Sequence, residues 1–260
     1  MSKFLIVNAD DFGLSDGVNR GIIEAAERGV LTSTSLMVRQ PAAPAAAAFA
    51  RNGWPVSVGL HLDLGEWVFR NDEWVPLYSI VPTEDAAAVA EEVSSQLQQF
   101  ERLMGRPPTH LDSHQHVHRQ EPVRSIALEH ARRLAVPLRE SSPGIRYCGD
   151  FYGQTGEGES LPKALTVQNL TRILASLTEG ITELGCHPGY GNGLATPYRE
   201  ERALELKVLC APELPGILRR MRFNLRSFCR LSPGPGGAPN AGPAKSLGSS
   251  GAIGGPLSVS

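Results

Sequence analysis

Lys3-Phe-Leu-Ile-Val-Asn-Ala-Asp-Asp-Phe-Gly-Leu-Ser15 opens as an apolar run, reaches two adjacent carboxylates and breaks at Gly13. Lys3 to Asn8 reads as a short buried strand. Ser15 is placed to cap a helix whose apolar face is Val18, Ile22, Ile23 and Ala26 and whose stop is Gly29. This is one strand–turn–helix unit, and similar units follow. Strands are expected near Thr32 to Val38, Val56 to Leu64, Thr109 to His114, Val136 to Arg139, Thr182 to Cys186 and Phe223 to Phe228. Helical patterns run over Glu84 to Met104, Glu121 to Leu134, Val167 to Leu177 and Tyr198 to Leu209. The alternation implies a largely parallel sheet. About seven strands with helical crossovers predict an α/β fold, an irregular (β/α) barrel in a single domain, since no Gly-x-Gly-x-x-Gly follows the first strand as a dinucleotide-binding fold would require.

The bulk properties agree with one domain. The chain has 260 residues, 41% of them hydrophobic, enough for one large core. A formal net charge of -2 without a long Lys or Arg run leaves no electrostatic footprint for nucleic acid. The apolar start is too short for a signal peptide and no apolar run is long enough to span a membrane, so a cytoplasmic protein is expected. Cys148, Cys186, Cys210 and Cys229 form no Cys-x-x-Cys pair and read as small buried hydrophobes. From Ser232 to Ser260 the composition turns to Ser, Pro, Gly and Ala, too poor in apolar groups to offset its ordering entropy; the functional domain is expected to cover 1–231 and the tail 232–260 to be disordered.

Polar residues gather at the carboxyl ends of the expected strands: Asp10-Asp11, His61 with Asp63, His114 in the run Thr109-His-Leu-Asp-Ser-His-Gln-His-Val-His118, and His187 after Cys186. In a parallel barrel these ends share one rim, where active sites are built. Imidazole and carboxylate together suit a divalent ion with an open position for water. Neighbouring side chains on an extended strand point apart, so one of Asp10 and Asp11 would bind the ion while the other handles a proton; Asp11 could equally cap the turn at Phe12-Gly13. A histidine such as His61 is more often a hydrogen-bonded core group, and the other rim residues are what make it a candidate ligand. Asp63, on the same face, could orient an imidazole. One histidine of the run is expected to be a ligand; Asp112 is a candidate for the same neighbourhood, and His116 and His118 fall past the strand end, where substrate contact, solvation and coordination are all open. His187, fixed in a tight Pro188-Gly189 turn, could protonate a leaving group or simply bond to backbone. Arg139 could hold a carboxylate of substrate or of Asp10, or form an ordinary buried ion pair. Trp54, Trp67, Trp74 and Tyr78 could stack on sugar or pack.

Together, Asn8-Ala-Asp-Asp-Phe-Gly13, Gly59-Leu-His61, the 109–118 run and Cys186-His-Pro-Gly189 resemble the YdjC-like carbohydrate deacetylases, the group that contains chitooligosaccharide deacetylase, over residues 3 to 230. Phe151-Tyr-Gly-Gln154 and Thr182 to Gly189 look like the branch associated with hopanoid biosynthesis. The resemblance implies an irregular (β/α) barrel that removes acetyl from an N-acetylated amino sugar or glycolipid, with a divalent ion, usually magnesium, though two imidazoles would also accept zinc. It assigns Asp11, His61 and His114 as metal ligands, Asp10 as general base and His187 as candidate acid. Asp63, Asp112, His116, His118 and Arg139 are then expected to support the ligands or touch substrate. Gln115 departs from the chitooligosaccharide enzymes, which often carry His there, as does the Pro/Gly/Ser tail. A glycolipid substrate would bring the protein to the inner membrane surface, and a homo-oligomer is compatible with all of this. The rival classes are a glycosidase of similar fold and a non-catalytic sugar-binding protein on the same barrel.

Overall fold

The computed structural model describes residues 2–230; the 232–260 segment, expected as a tail, lies outside them. Within that span nine strands and seven α-helices alternate. Strand β1 (Lys3–Phe12) is the centre of the main sheet. One of its edges pairs with β8 (Gly180–Cys186) from Lys3 to Ala9. Its other edge is shared, the first half by β9 (Phe223–Leu225) and the second half by β2 (Ser33–Leu36). The parallel order continues outward from β2 through β3 (Ser57–Leu62) to β6 (Leu111–Ser113), and from β8 to β7 (Ile145–Cys148), giving a curled sheet that forms half a barrel.

The first unit forms as its sequence demands. Leu5, Ile6, Val7 and Ala9 are fully buried in β1, which runs as a continuous apolar strand because both of its faces are covered. Removing each of the Leu5, Ile6 and Val7 side chains from water contributes about 1.5–3 kcal/mol. Ser15 caps α1 (Asp16–Arg28) by accepting from the Val18 N–H, and Gly29 ends it. Gly17 and Gly21, one turn apart on α1, are needed where the 187–191 loop descends: a Cβ on Gly17 would lie 2.3 Å from the Tyr190 carbonyl oxygen, and one on Gly21 2.4 Å from Gly189 Cα. This contact fixes the loop that carries His187. The remaining helices are α2 (Ala43–Arg51), α3 (Ala86–Met104), α4 (Val123–Leu134), α5 (Val167–Ser176), α6 (Glu200–Leu209) and α7 (Leu214–Arg220). Their apolar faces join the strands in one continuous core.

Several sequence expectations shift. Val136 to Arg139 is reduced to a single parallel bridge, Leu111 with Leu138, because only the Pro137 carbonyl and the Arg139 N–H reach β6. Phe223 to Phe228 shortens to β9 followed by a 3₁₀ turn at Phe228–Arg230. The strand expected to run to His114 stops at Ser113, and His114 begins a 3₁₀ turn. Helices α2 and α7 and strand β7 are additional. So is an antiparallel hairpin, β4 (Gly65–Arg70) with β5 (Glu73–Ser79), joined by Asn71 and Asp72 at φ 52° and 62°. Two consecutive positive φ values make this the type I′ connection that matches strand twist, formed here without the glycine that usually announces it. Of the cysteines, Cys148 and Cys186 are buried as expected, whereas Cys229 is exposed. No helix among the described residues is long and apolar enough to cross a membrane.

Candidate functional site

Parallel pairing brings the carboxyl ends of β1, β3, β6 and β8 to one mouth, where a cavity of about 1000 Å³ opens. Asp10 and Asp11 end β1, but not on the plain extended backbone expected for them. Asp11 has φ 67°, and the β1–β2 register slips between Ala9 and Phe12. This bulge turns successive side chains toward the same mouth, so both carboxylates approach His61. One oxygen of Asp11 and one ring nitrogen each of His61 and His114 lie within 4.8 Å of one another; Asp10, His61 and Asp112 satisfy the same limit.

Each of these groups is held by a partner behind it. The Asp11 Oδ2 accepts from Arg202 Nη2 at 2.6 Å, leaving Oδ1 at 3.3 Å from His61 Nε2 and 3.2 Å from His114 Nδ1. His61 Nδ1 sits 2.8 Å from Asp112 Oδ1, which directs Nε2 into the cavity. Asp112 in turn accepts from Ser35 Oγ at 2.5 Å and forms an ion pair with Arg139 Nη2 at 2.8 Å. Arg139 forks onto Asp10 at 2.6 and 2.7 Å and also reaches Glu183 at 2.7 Å, so it is the hub of three buried carboxylates. Asn8 Nδ2 adds a third donor to Asp10 at 2.8 Å. His187 stands across the mouth, its Nε2 3.8 Å from Asp10 Oδ2 and its Nδ1 3.7 Å from Glu205 Oε1; its backbone N–H donates to Glu205 Oε2 at 2.5 Å.

Asp63 does not take up the role of orienting an imidazole. It lies past the end of β3 and accepts from Tyr78 OH at 2.9 Å, from Gln40 Nε2 at 2.7 Å and from the Gly65 N–H, so it anchors the root of the hairpin while Asp112 backs His61. His116 and His118 follow His114 around the 3₁₀ turn and lie beside Tyr147 and Ser113 rather than on the Asp11 cluster. Of the aromatic candidates, Trp54 packs against Phe12 and Phe49 in the core, whereas Trp67 and Trp74 line the cavity.

Burial sets the electrostatics, and specific charges then overrule it. Burial would lower His61, but Asp112 and Asp11 raise it to about 10; His114 is likewise raised to about 9 against its burial, by Asp11 and Glu66. Burial pushes Asp11 and Asp10 up, yet Arg202 holds Asp11 well below the usual carboxylate range, and Arg139 lowers Asp10. Glu183 goes the other way: burial raises it to about 7, with Arg139 offsetting only part of the cost. Asp10, Asp11, Glu66, Asp112, Glu183 and Glu205 bring more buried carboxylates than Arg139 and Arg202 neutralise. The mouth therefore favours positive charge at its centre. His114 Nε2 is buried without a hydrogen-bond partner, with Glu66 Oε2 3.6 Å away.

Arg202, Glu205, Glu183 and Glu66 escape sequence reasoning, and Gln115 is read there only as a departure from the chitooligosaccharide enzymes. A signal existed for the first two: α6 carries no purely apolar stripe, and Glu201, Arg202 and Glu205 are buried beside Leu206 and Leu209. Gln115 clamps the hairpin, its Nε2 donating to the Trp67 carbonyl and its Oε1 accepting from the Trp67 N–H, both at 2.8 Å. Tyr152 stacks on Tyr198 with centroids 4.7 Å apart, and Tyr198 OH bonds both Glu205 and the Gly153 N–H.

The model of the family described as YdjC-like protein matches residues 4–220. A chitooligosaccharide deacetylase of Serratia marcescens is 34% identical, with 88% of this chain and 99% of that protein covered. A carbohydrate deacetylase of Geobacillus stearothermophilus is 33% identical, with 89% and 100% covered. Among solved structures, a provisionally assigned cellobiose-phosphate cleavage protein of Enterococcus faecalis V583 superposes with a TM-score of 0.69 at 26% identity, over 89% of this chain and all of that one.

Proposed function

For a chain that belongs to the YdjC-like family, we propose hydrolysis of the acetamide of an N-acetylated amino sugar, releasing acetate and the free amine. The observation that carries this reading is the convergence at one mouth of Asp11, His61 and His114 with an Arg139-clamped Asp10 and with His187 opposite. The names of its deacetylase relatives supply the substrate class.

The donor set fits a divalent cation: one carboxylate oxygen left free by Arg202, one imidazole aimed by Asp112, and a second imidazole whose Nδ1 lies 3.2 Å from that same carboxylate oxygen. Such an ion, when bound, polarises the acetyl carbonyl and makes a nearby water more acidic. Zinc suits two imidazoles and one carboxylate as well as the magnesium implied by the family resemblance. Asp10 takes the proton of the attacking water. Arg139 keeps that carboxylate ionised and fixes its plane, so the lone pair facing the mouth is the one available. His187, steadied through its backbone by Glu205, delivers a proton to the departing amine. Acetyl is lost as acetate, and the sugar nitrogen leaves as an amine.

Trp67, Phe69, Trp74 and Tyr152 line the cavity with faces suited to a pyranose ring. Both a short chitin oligomer and a glucosaminyl lipid of the hopanoid kind present such a ring, the latter bringing the protein to a membrane surface. A glycosidic-bond reading has one observation behind it, the likeness to the Enterococcus faecalis protein. That chemistry needs two carboxylates about 5–10 Å apart on either side of a ring, whereas Asp10 and Asp11 converge on one imidazole and each is bound to a buried arginine. The deciding assay measures acetate against new reducing ends from diacetylchitobiose and a glucosaminyl lipid. Asp10→Asn should abolish acetate release while the purified protein keeps its metal; unchanged turnover rejects the assignment.

A further inference from the structure

Past His114 the backbone takes two consecutive left-handed residues, Gln115 at φ 48° and His116 at φ 55°. The turn folds the end of the histidine run back, so that the His116 and His118 rings sit 5.9 Å apart at 63°. Glu140 joins them from the segment after Arg139: one nitrogen of each ring and one Glu140 carboxylate oxygen lie within 4.8 Å of one another.

Two buried atoms in this group lack any partner, His116 Nδ1 and His118 Nε2, and His118 is only 1% exposed. A buried polar atom left unsatisfied is destabilising, so something is expected to fill its lone pair. The opposite nitrogen of each ring is occupied. His118 Nδ1 is 2.6 Å from Ser113 Oγ and His116 Nε2 is 3.4 Å from the Tyr147 hydroxyl. An imidazole that gives its proton to a neighbour through one nitrogen presents a lone pair on the other, which is how ligating histidines are normally set. Arg119 forks onto Glu140, fixing the carboxylate and cancelling its charge while leaving it lone pairs to offer. The donors are thus two neutral imidazoles and a neutralised carboxylate, a set for a borderline transition-metal dication rather than for magnesium.

We propose that His116, His118 and Glu140 form a second cation site, distinct from the Asp11–His61–His114 cluster, for a dication of the zinc class. His116 and Glu140 face the same cavity as the catalytic mouth, so the ion would sit in the wall of the substrate channel with a position open to it. No ligand is shared between the two sites, and each stands or falls alone.

The test is metal stoichiometry. Full-length protein is stripped with chelator, dialysed, and titrated with Zn(II), and in parallel with Co(II) to read the coordination spectrum. Wild type should bind two equivalents. Glu140→Gln, a change at an exposed side chain, should weaken one of them at least about tenfold and leave the other unchanged. His116→Ala should remove that same equivalent, and His61→Ala the other. A thermal melt of each variant confirms that it is folded. If wild type binds one equivalent and His61→Ala abolishes it, or if Glu140→Gln and His116→Ala both retain two, the second site is overturned. One equivalent lost in His116→Ala but kept in His61→Ala would support this site and sink the catalytic reading instead.

Discussion

The site is made of two regions built on opposite principles. Its floor comes from parallel strand ends in the middle of the main sheet, where Asp10, Asp11, His61 and Asp112 are buried and each is held by at least one side chain at 2.5–2.8 Å. Its overhang is the antiparallel hairpin β4–β5, attached by Asp63 at its root and by Gln115 along Trp67, with Trp74 53% exposed. The floor gives up substantial desolvation free energy to place charges with little freedom, which is what preorganised chemistry requires. The overhang has few such constraints and offers aromatic faces. The contrast suggests that reaction type resides in the floor and substrate choice in the hairpin.

The sharpest way to break that division is to disable the cation site proposed for the floor. Asp11→Ala should lower kcat for acetate release by about 10³-fold, the size of several kcal/mol of electrophilic assistance, and should lower metal content in step. Retained turnover with lost metal would refute the role given to the floor.

Next in size is Arg139→Met. Three buried carboxylates lose their common partner, and breaking such a pair costs about 3–5 kcal/mol. For a domain of this size that lowers Tm by roughly 10 °C. A drop of a degree or two would mean that Asp10, Asp112 and Glu183 are far better solvated than their burial indicates.

These two residues also show what the sequence disclosed. The strand–helix alternation and the clustering of polar residues after strands were visible because period and position carry them: apolar Leu5 to Val7, the Ser15 cap, and His187 after Cys186 all read directly. For Arg139 the sequence offers a substrate carboxylate, Asp10 or an ordinary ion pair, and the structure supplies Asp10; that Asp112 and Glu183 share the same guanidinium is indicated by nothing local to Arg139. Arg202 lies in the expected Tyr198 to Leu209 helix, but nothing local marks it as the partner of Asp11. The bulge at Asp11 was invisible because an aspartate at φ 67° violates local preference and is held by its surroundings, namely Arg202 and two imidazoles. The hairpin was missed because Asn71-Asp72 lacks the glycine of a strong turn signal, and Pro76 interrupts the pattern of β5.

A smaller effect sharpens the account of the floor. Glu183 is raised from 4.5 to about 7. Below pH 4.5 it is protonated both folded and unfolded, so it costs nothing. As pH rises from 4.5 to 7 the unfolded chain ionises first, and the folded state loses stability relative to it, on the order of 3 kcal/mol in all, with no further change above 7. Glu183→Gln lacks this loss. The Tm advantage of wild type over the variant should therefore shrink between pH 5 and pH 8. An advantage that grows instead would show Glu183 ionised throughout and Arg139 dominant over burial.

The smallest expected effect tests the overhang. Trp74 pairs with Phe69 across the hairpin, centroids 5.7 Å apart, and presents the rest of its ring to solvent beside the cavity. Nothing in the core depends on it, so Trp74→Ala should leave Tm nearly unchanged. A stacking contact is worth about 0.5–1.5 kcal/mol, which corresponds to roughly a two- to twelvefold rise in KM for a sugar oligomer. Because the ring lies on the hairpin rather than at the strand ends, kcat should hold, and N-acetylglucosamine, with a single ring to bind, should show a smaller rise. A fall in kcat with KM unchanged would place Trp74 in the reaction, and the separation between floor and overhang would fail where it is most exposed to measurement.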